Sequence, residues 1–227
     1  LQKMIYPFFK VADTTYQVYL TNGLDDTPIP IADLPTAKTR SDYHQDPVLA
    51  INYYTMNYQQ KPFDVIACRK AFAEAINKDL IVQNIWKGSF IATNHIVPQG
   101  QPGYNPNLTG PDGKATTSGD TAAAQADLKT CEQQQGYASA SSFPPITLTY
   151  SSAGSQAARD EVAAMQQMWQ NVLGISVKTD DIEINTLFAD EGKGCANNLQ
   201  FYDGPAWLAD YPDPQDWYST VFQSSST

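Results

Sequence analysis

The chain has 227 residues, enough for one large domain or two small ones, and 42% of them are hydrophobic, which excludes a wholly disordered segment. Its 14 Lys and Arg face 24 Asp and Glu, a formal net charge of −10, and this balance argues against nucleic acid or a polyanionic membrane surface as partner. No apolar run approaches the roughly 20 residues of a membrane-spanning helix, and no basic, apolar signal segment opens the chain. Both ends read as cut from something longer: Ile5, Phe8, Phe9 and Val11 begin as if mid-strand, and Ser224, Ser225, Ser226 and Thr227 follow directly on an aromatic cluster.

The N-terminal residues predict a strand, a helix near 14–21, a turn at Gly23 and a short strand near Ile29. Val48, Leu49, Ile51, Tyr53 and Tyr54 then form a β-branched and aromatic run ending near Asn57. Pro62 and Asp64 open a helix with Val65, Cys68, Phe72, Ala75 and Ile76 on one face. Lys70, Glu74 and Lys78 fall opposite at i, i+4 spacing, which predicts a solvated ion-pair stripe. Asp79 is placed to cap a short helix through Ile81, Val82, Ile85 and Trp86, closed by Gly88.

Residues 98–119 are rich in Pro, Gly, Asn and Thr and predict a surface loop. A helix over 121–135 follows, with Ala124, Leu128 and Cys131 on its buried side and Gly136 ending it. The clearest unit is 146–179. Ile146, Leu148 and Tyr150 alternate with threonines as a strand with one buried face. Ser155 then caps a helix whose Ala158, Val162, Met165, Trp169, Val172 and Leu173 make one apolar stripe, and Gly174 is placed to end it. Ile175 and Val177 begin a second strand. Short joints between strand, helix and strand imply parallel pairing through a right-handed crossover, hence an α/β domain. There is no internal repeat and no linker long enough to divide the chain.

Cys68, Cys131 and Cys195 are too widely spaced for a zinc finger. One disulfide with a thiol left over and three reduced thiols both remain open. Cys68 and Cys131 lie on apolar helix faces, and the reading favoured for them is as small buried hydrophobes.

In order along the chain stand Tyr53-Tyr54-Thr55-Met56-Asn57, Pro62-Phe63-Asp64, Arg69-Lys70-Ala71-Phe72 and Ala75-Ile76-Asn77-Lys78-Asp79. They are followed by Ile96-Val97-Pro98, Gly100-Gln101-Pro102-Gly103-Tyr104, Gly136-Tyr137, Ile146-Thr147-Leu148, Met168-Trp169, Leu173-Gly174-Ile175 and Trp207-Leu208-Ala209-Asp210-Tyr211-Pro212-Asp213-Pro214. Each piece is weak by itself, but their shared order resembles the family 5 extracellular solute-binding proteins, the oligopeptide and dipeptide receptors of ABC transporters. The pattern departs at Val65 to Cys68, where members often show Asp, Val, Arg and Val.

The resemblance implies a mixed sheet flanked by helices, forming one lobe of a two-lobed periplasmic-binding-protein-like (Venus flytrap) architecture. On that reading residues 1–227 are a single α/β domain, lobe II of a receptor roughly twice as long or more, with lobe I and any lipid-anchoring cysteine outside this sequence. Its partners would be an oligopeptide ligand, lobe I and an ABC transporter permease, with no nucleic acid and no cofactor. It would work outside the cytoplasm, extracellular or periplasmic, tethered to the membrane as a lipoprotein through another part of the protein. The resemblance further implies that Asp210 faces the cleft and holds a ligand's α-ammonium group, a task suited to a carboxylate. Trp207 and Tyr211 would offer flat walls for the ligand. Asp213-Pro214 reads as a turn.

Other chemistries have weaker sequence support. The same scaffold serves receptors for oligosaccharides or metal chelates, since fold does not fix ligand. A secreted hydrolase would need two carboxylates flanking one bond, drawn from Asp203, Asp210, Asp213 and Asp216. Calcium at Asp210, Asp213 and Asp216 lacks the EF-hand spacing. Asp42, His44 and Asp46 would share a strand face, which reads better as a solvated edge than as a metal site. No nucleophile elbow or phosphate loop occurs, so no catalytic residue is assigned.

Overall fold

The computed structural model describes residues 2–9, 12–193, 198–204, 206–219 and 223. Cys195 lies outside them. The chain forms two compact units, Leu1–Asp46 and Pro47–Thr227, and the second carries the α/β architecture expected of the whole.

The first unit holds helices α1 (Ala12–Leu20) and α2 (Leu34–Ala37). Neither the N-terminal strand nor the strand near Ile29 forms among its described residues. Asp42 is not on a strand face with His44: Arg40 donates to its carboxylate from Nε at 2.8 Å and Nη2 at 2.6 Å, and the Tyr19 hydroxyl adds a third bond at 2.8 Å. A carboxylate so occupied holds the turn together.

In the second unit the 48–57 run splits into β1 (Ala50–Ile51) and β2 (Tyr54–Met56). Helices α3 (Ile66–Glu74), α4 (Lys78–Asn84) and α5 (Thr121–Gln135) follow, then β3 (Ile146–Tyr150), α6 (Gln156–Leu173) and β4 (Val177–Asp181). Helix α7 (Ile184–Glu191), strands β5 (Phe201–Asp203) and β6 (Trp207–Leu208) and the short α8 (Gln215–Trp217) complete it. The strand–helix–strand unit forms as its periodicity predicts. Ser155 Oγ accepts the Ala158 N–H, Gly174 closes α6 at φ 70°, and β3 pairs with β4 in parallel from Ile146↔Val177 to Tyr150↔Asp181.

The main sheet has the order β2-β5-β3-β4, with β5 parallel to β3 and β2 antiparallel to β5. This mixed sheet is flanked by helices, as expected. The α6 stripe buries Val162, Met165, Trp169 and Leu173 against Ile146, Leu148 and Phe201. Phe63, Phe72, Phe201 and Trp169 meet with ring centroids 5.2–6.3 Å apart, and the Trp169 indole N–H satisfies the Phe72 carbonyl at 3.0 Å. Burying each such ring stabilises the fold by roughly 1.5–3 kcal/mol.

Three local features differ from what the periodicity predicts. Helix α3 starts after Val65 rather than at Pro62, because residues 61–64 form turns. Asn77, not Asp79, caps α4, accepting the Leu80 N–H at 3.0 Å, while Asp79 accepts the Thr117 hydroxyl at 2.6 Å. The Lys70–Glu74–Lys78 stripe does not form. The helix ends at Glu74, whose side chain is only 4% exposed, and Lys78 turns to Thr93 O and Asn94 Oδ1, both at 2.7 Å.

Cys68 and Cys131 are fully buried, as the apolar helix faces imply, but they are joined as a disulfide rather than packed as free thiols. The two faces that carry them are packed on each other, which brings the sulfurs together.

Candidate ligand-binding site

Registers align one edge of the main sheet. Tyr54 pairs with Asp203, Thr149 with Tyr202 and Tyr150 with Asp181, so the carboxyl ends of β3, β4 and β5 and the amino end of β2 lie together. Crevices outside carboxyl strand ends are the usual ligand sites of open α/β sheets. Beyond this edge β1 and β6 form a separate antiparallel pair, Ala50↔Leu208 and Ile51↔Trp207, extended by Ala209 N–H to Leu49 O at 2.9 Å. Asp210 follows directly.

Trp207, Asp210 and Tyr211 lie on this one loop, and Asp216 holds the first two of them. Asp216 is 1% exposed. Its Oδ2 accepts the Asp210 backbone N–H at 2.7 Å and its Oδ1 the Trp207 indole N–H at 3.3 Å. The adjacent Trp217 anchors the loop in a cluster with Ile51 and Val97, against which half-buried Trp207 packs. Asp213 Oδ1 accepts the Gln215 N–H at 2.8 Å, confirming a turn role at Asp213-Pro214. The Asp210 side chain itself is exposed, as is Tyr211, whose hydroxyl reaches Gln215.

A second wall comes from the 98–119 loop. Gln101, 3% exposed, donates from Nε2 to Tyr211 O at 3.2 Å. Gly103, at φ +83°, lies against Pro214 so closely that a Cβ would stand 2.3 Å from its Cγ. The sequence signal for both was the Gly-Gln-Pro-Gly string, legible as loop but not as a contact.

The sheet edge is acidic. Burial first, and then Glu161, pushes Asp203 up to about 7, and burial followed by Asp203 does the same to Glu191. Glu161 is raised by burial against the opposing donation of Trp86 and Tyr54, the Trp86 indole N–H standing 2.7 Å away. Burial also raises the Tyr53 and Tyr54 hydroxyls. Gly204 donates to Tyr53 O at 2.8 Å and presses on its ring, where a Cβ would come within 2.4 Å.

Of the four aspartates open to a hydrolase reading, Asp213 and Asp216 are bound to backbone and indole donors that fix the loop. Among the described residues no group of three or more His, Cys, Asp or Glu is arranged to hold a metal ion. No helix among them is long and apolar enough to cross a membrane.

The whole chain, residues 1–227, matches the model of the bacterial extracellular solute-binding proteins, family 5 Middle, and belongs to that family. It is 28% identical to the oligopeptide-binding protein OppA of Bacillus subtilis over 85% of its length, covering 33% of that protein. It is 27% identical to the dipeptide-binding protein DppE of the same organism over 94% of its length, covering 38% of that protein. A periplasmic oligopeptide-binding protein of Borrelia burgdorferi superposes over 95% of this chain and 40% of its own, with a TM-score of 0.74 and 25% identity. The pheromone receptor PrgZ, at 19% identity, shares the fold with a TM-score of 0.77 over 96% of this chain and 41% of its own. The chain therefore spans about a third to two fifths of the proteins it matches.

Proposed function

We propose that this chain is the lobe II part of a longer two-lobed receptor that captures oligopeptides outside the cytoplasm and delivers them to an ABC transporter permease. Lobe I and any membrane tether belong to other parts of that receptor. The reading is supported by family membership, by peptide-binding relatives and by the peptide-bound form of a structural neighbour, OppA of Listeria monocytogenes. The observation that carries it is the exposed Asp210 carboxylate, whose backbone is fixed by buried Asp216 between Trp207 and Tyr211.

In this reading Asp210 accepts the ligand's α-ammonium group, and the two aromatic side chains line the walls. When a second lobe closes over the loop, water leaves and the ion pair strengthens, to about 4 kcal/mol at 4 Å and an effective dielectric of 20 before desolvation is subtracted. The family role is capture, and no step requires the ligand to be altered.

The test is calorimetric titration of the full-length receptor with di- to pentapeptides, comparing free and N-acetylated N-termini and wild type with Asp210→Ala. Binding that needs both the free ammonium and Asp210 supports the assignment. Binding that survives Asp210→Ala removes the clamp, and absence of any peptide binding removes the peptide reading.

A further inference from the structure

The fold around Glu74 leaves its chemistry unaccounted for. The side chain is 4% exposed, and neither carboxyl oxygen, both shielded from solvent, has a hydrogen-bond partner among the described residues. An ionised carboxylate there has neither water nor a donor to solvate its charge.

Its neighbours come from three elements. Asp127 lies on α5, which packs against α3, and acts on the Glu74 carboxyl together with Asp112 of the 110–120 loop and Lys70 one turn back on α3, while Lys114 of the same loop feels the Glu74 charge. Lys114 is engaged with Asp120 at the start of α5. Burial is the largest influence on Glu74, followed by Asp127; Lys70 opposes them, and the net effect carries the carboxyl up to about 7. Two carboxylates can accept but not donate, so the contact with Asp127 is attractive only when one of them bears a proton.

The same residue holds the loop. The Glu74 carbonyl accepts the Asp120 N–H at 2.8 Å, and Gly119 packs so tightly that a Cβ would meet the Glu74 and Ile76 carbonyl oxygens at 2.9 and 2.8 Å. A cavity of about 30 Å³, lined by Glu74, Asn94, Asp112, Thr116 and Asp120 among others, lies between α3 and this loop.

We propose that Glu74 is protonated in the folded protein and donates to Asp127 across the contact between α3 and α5, so that loss of this proton loosens the 110–120 loop. The sign follows from linkage. A carboxyl raised above its ordinary range favours the closed loop at acid pH. The opening equilibrium then grows by up to roughly tenfold per pH unit between the ordinary carboxyl range and about 7, and is flat above that. Release lets water and the Lys114 ammonium reach the ionised Glu74.

The experiment is hydrogen–deuterium exchange of the whole chain from pH 4.5 to 8, corrected for intrinsic exchange, on wild type and Glu74→Gln. In wild type, protection of the Asp120 amide and its loop falls as pH rises and then levels near 7. In Glu74→Gln the carboxamide donates to Asp127 at every pH, so protection stays flat. A purely structural Glu74 would give the same slope in both proteins and overturn the proposal. Should the variant fail to fold, carbon NMR of the wild-type Glu74 carboxyl decides: titration near 7 supports the shared proton, and titration in the ordinary carboxyl range refutes it. Loop protection restored at pH 8 by millimolar calcium chloride would show that the carboxylates hold a cation rather than a proton, and would also overturn it.

Discussion

The buried carboxylate of Asp216 accepts the backbone N–H of Asp210 at 2.7 Å, so the residue proposed to touch ligand is placed by one that does not reach solvent. The pair separates two effects that a sequence cannot. Asp216→Ala strands the Asp210 N–H and the Trp207 indole N–H, and should cost about 1.5–3 kcal/mol of stability. Asp210→Ala removes only an exposed side chain and should stay within about 0.5 kcal/mol of wild type. Urea denaturation of both variants checks this; equal losses would mean that Asp210 is structural and not free for ligand.

Gly103→Ala tests the second wall. The new methyl would meet Pro214 at 2.3 Å and sit on a backbone at φ +83°, which side chains rarely adopt. A loss of about 1–3 kcal/mol is expected from the combined clash and strain. Because Gln101 in the same loop holds Tyr211 O, peptide affinity of the full-length receptor should fall as well. Unchanged melting temperature and affinity would detach this loop from the site.

Strand–helix–strand order, the span of α5 and the buried face of α6 were all legible, because each rests on local periodicity and caps such as Ser155 and Gly174. What was illegible depends on which faces meet. Cys68 and Cys131 each looked like a small core residue, and only the packing of α3 on α5 makes them partners. Glu74 completed an apparent charged stripe with Lys70 and Lys78, but the helix stops at Glu74 and α5 covers it. Asp213 and Asp216 share one acidic, Pro-rich loop. Only the burial of α8 makes Asp216 the organiser and leaves Asp213 a turn cap, and period and composition do not carry that distinction.

The disulfide closes a long loop, with Cys68 and Cys131 63 residues apart in sequence. Loop-closure entropy for that length gives a stabilisation of about 4 kcal/mol as an upper figure. Reduction, or the pair Cys68→Ala and Cys131→Ala, should therefore lower the urea midpoint without abolishing the fold. Identical midpoints with and without reductant, once a thiol count confirms reduction, would mean that the bond adds no stability.

The acidic sheet edge makes a further prediction about pH. Asp203 and Glu191 are both held up to about 7, chiefly by burial and secondarily by nearby carboxylates, Glu161 for Asp203 and Asp203 for Glu191. Each raised carboxyl binds its proton more tightly folded than unfolded. Its contribution is therefore most favourable below the ordinary carboxyl range and declines as pH rises to about 7, with no further change above. Asp181 works in the opposite sense. Its carboxyl is lowered mainly by the Ser152 N–H, so its stabilisation is present above the ordinary carboxyl range and is lost as pH falls below it. Melting temperatures between pH 4.5 and 7 should accordingly decline with rising pH in wild type and decline less in Asp203→Asn, which removes the proton-binding group and leaves Asp181 intact. The Asn variant should also relieve Glu191, whose second cause of elevation is Asp203. A wild-type curve that rises over this interval, or an Asp203→Asn curve parallel to it, would show that the edge carboxyls ionise normally and that water reaches them in the folded chain.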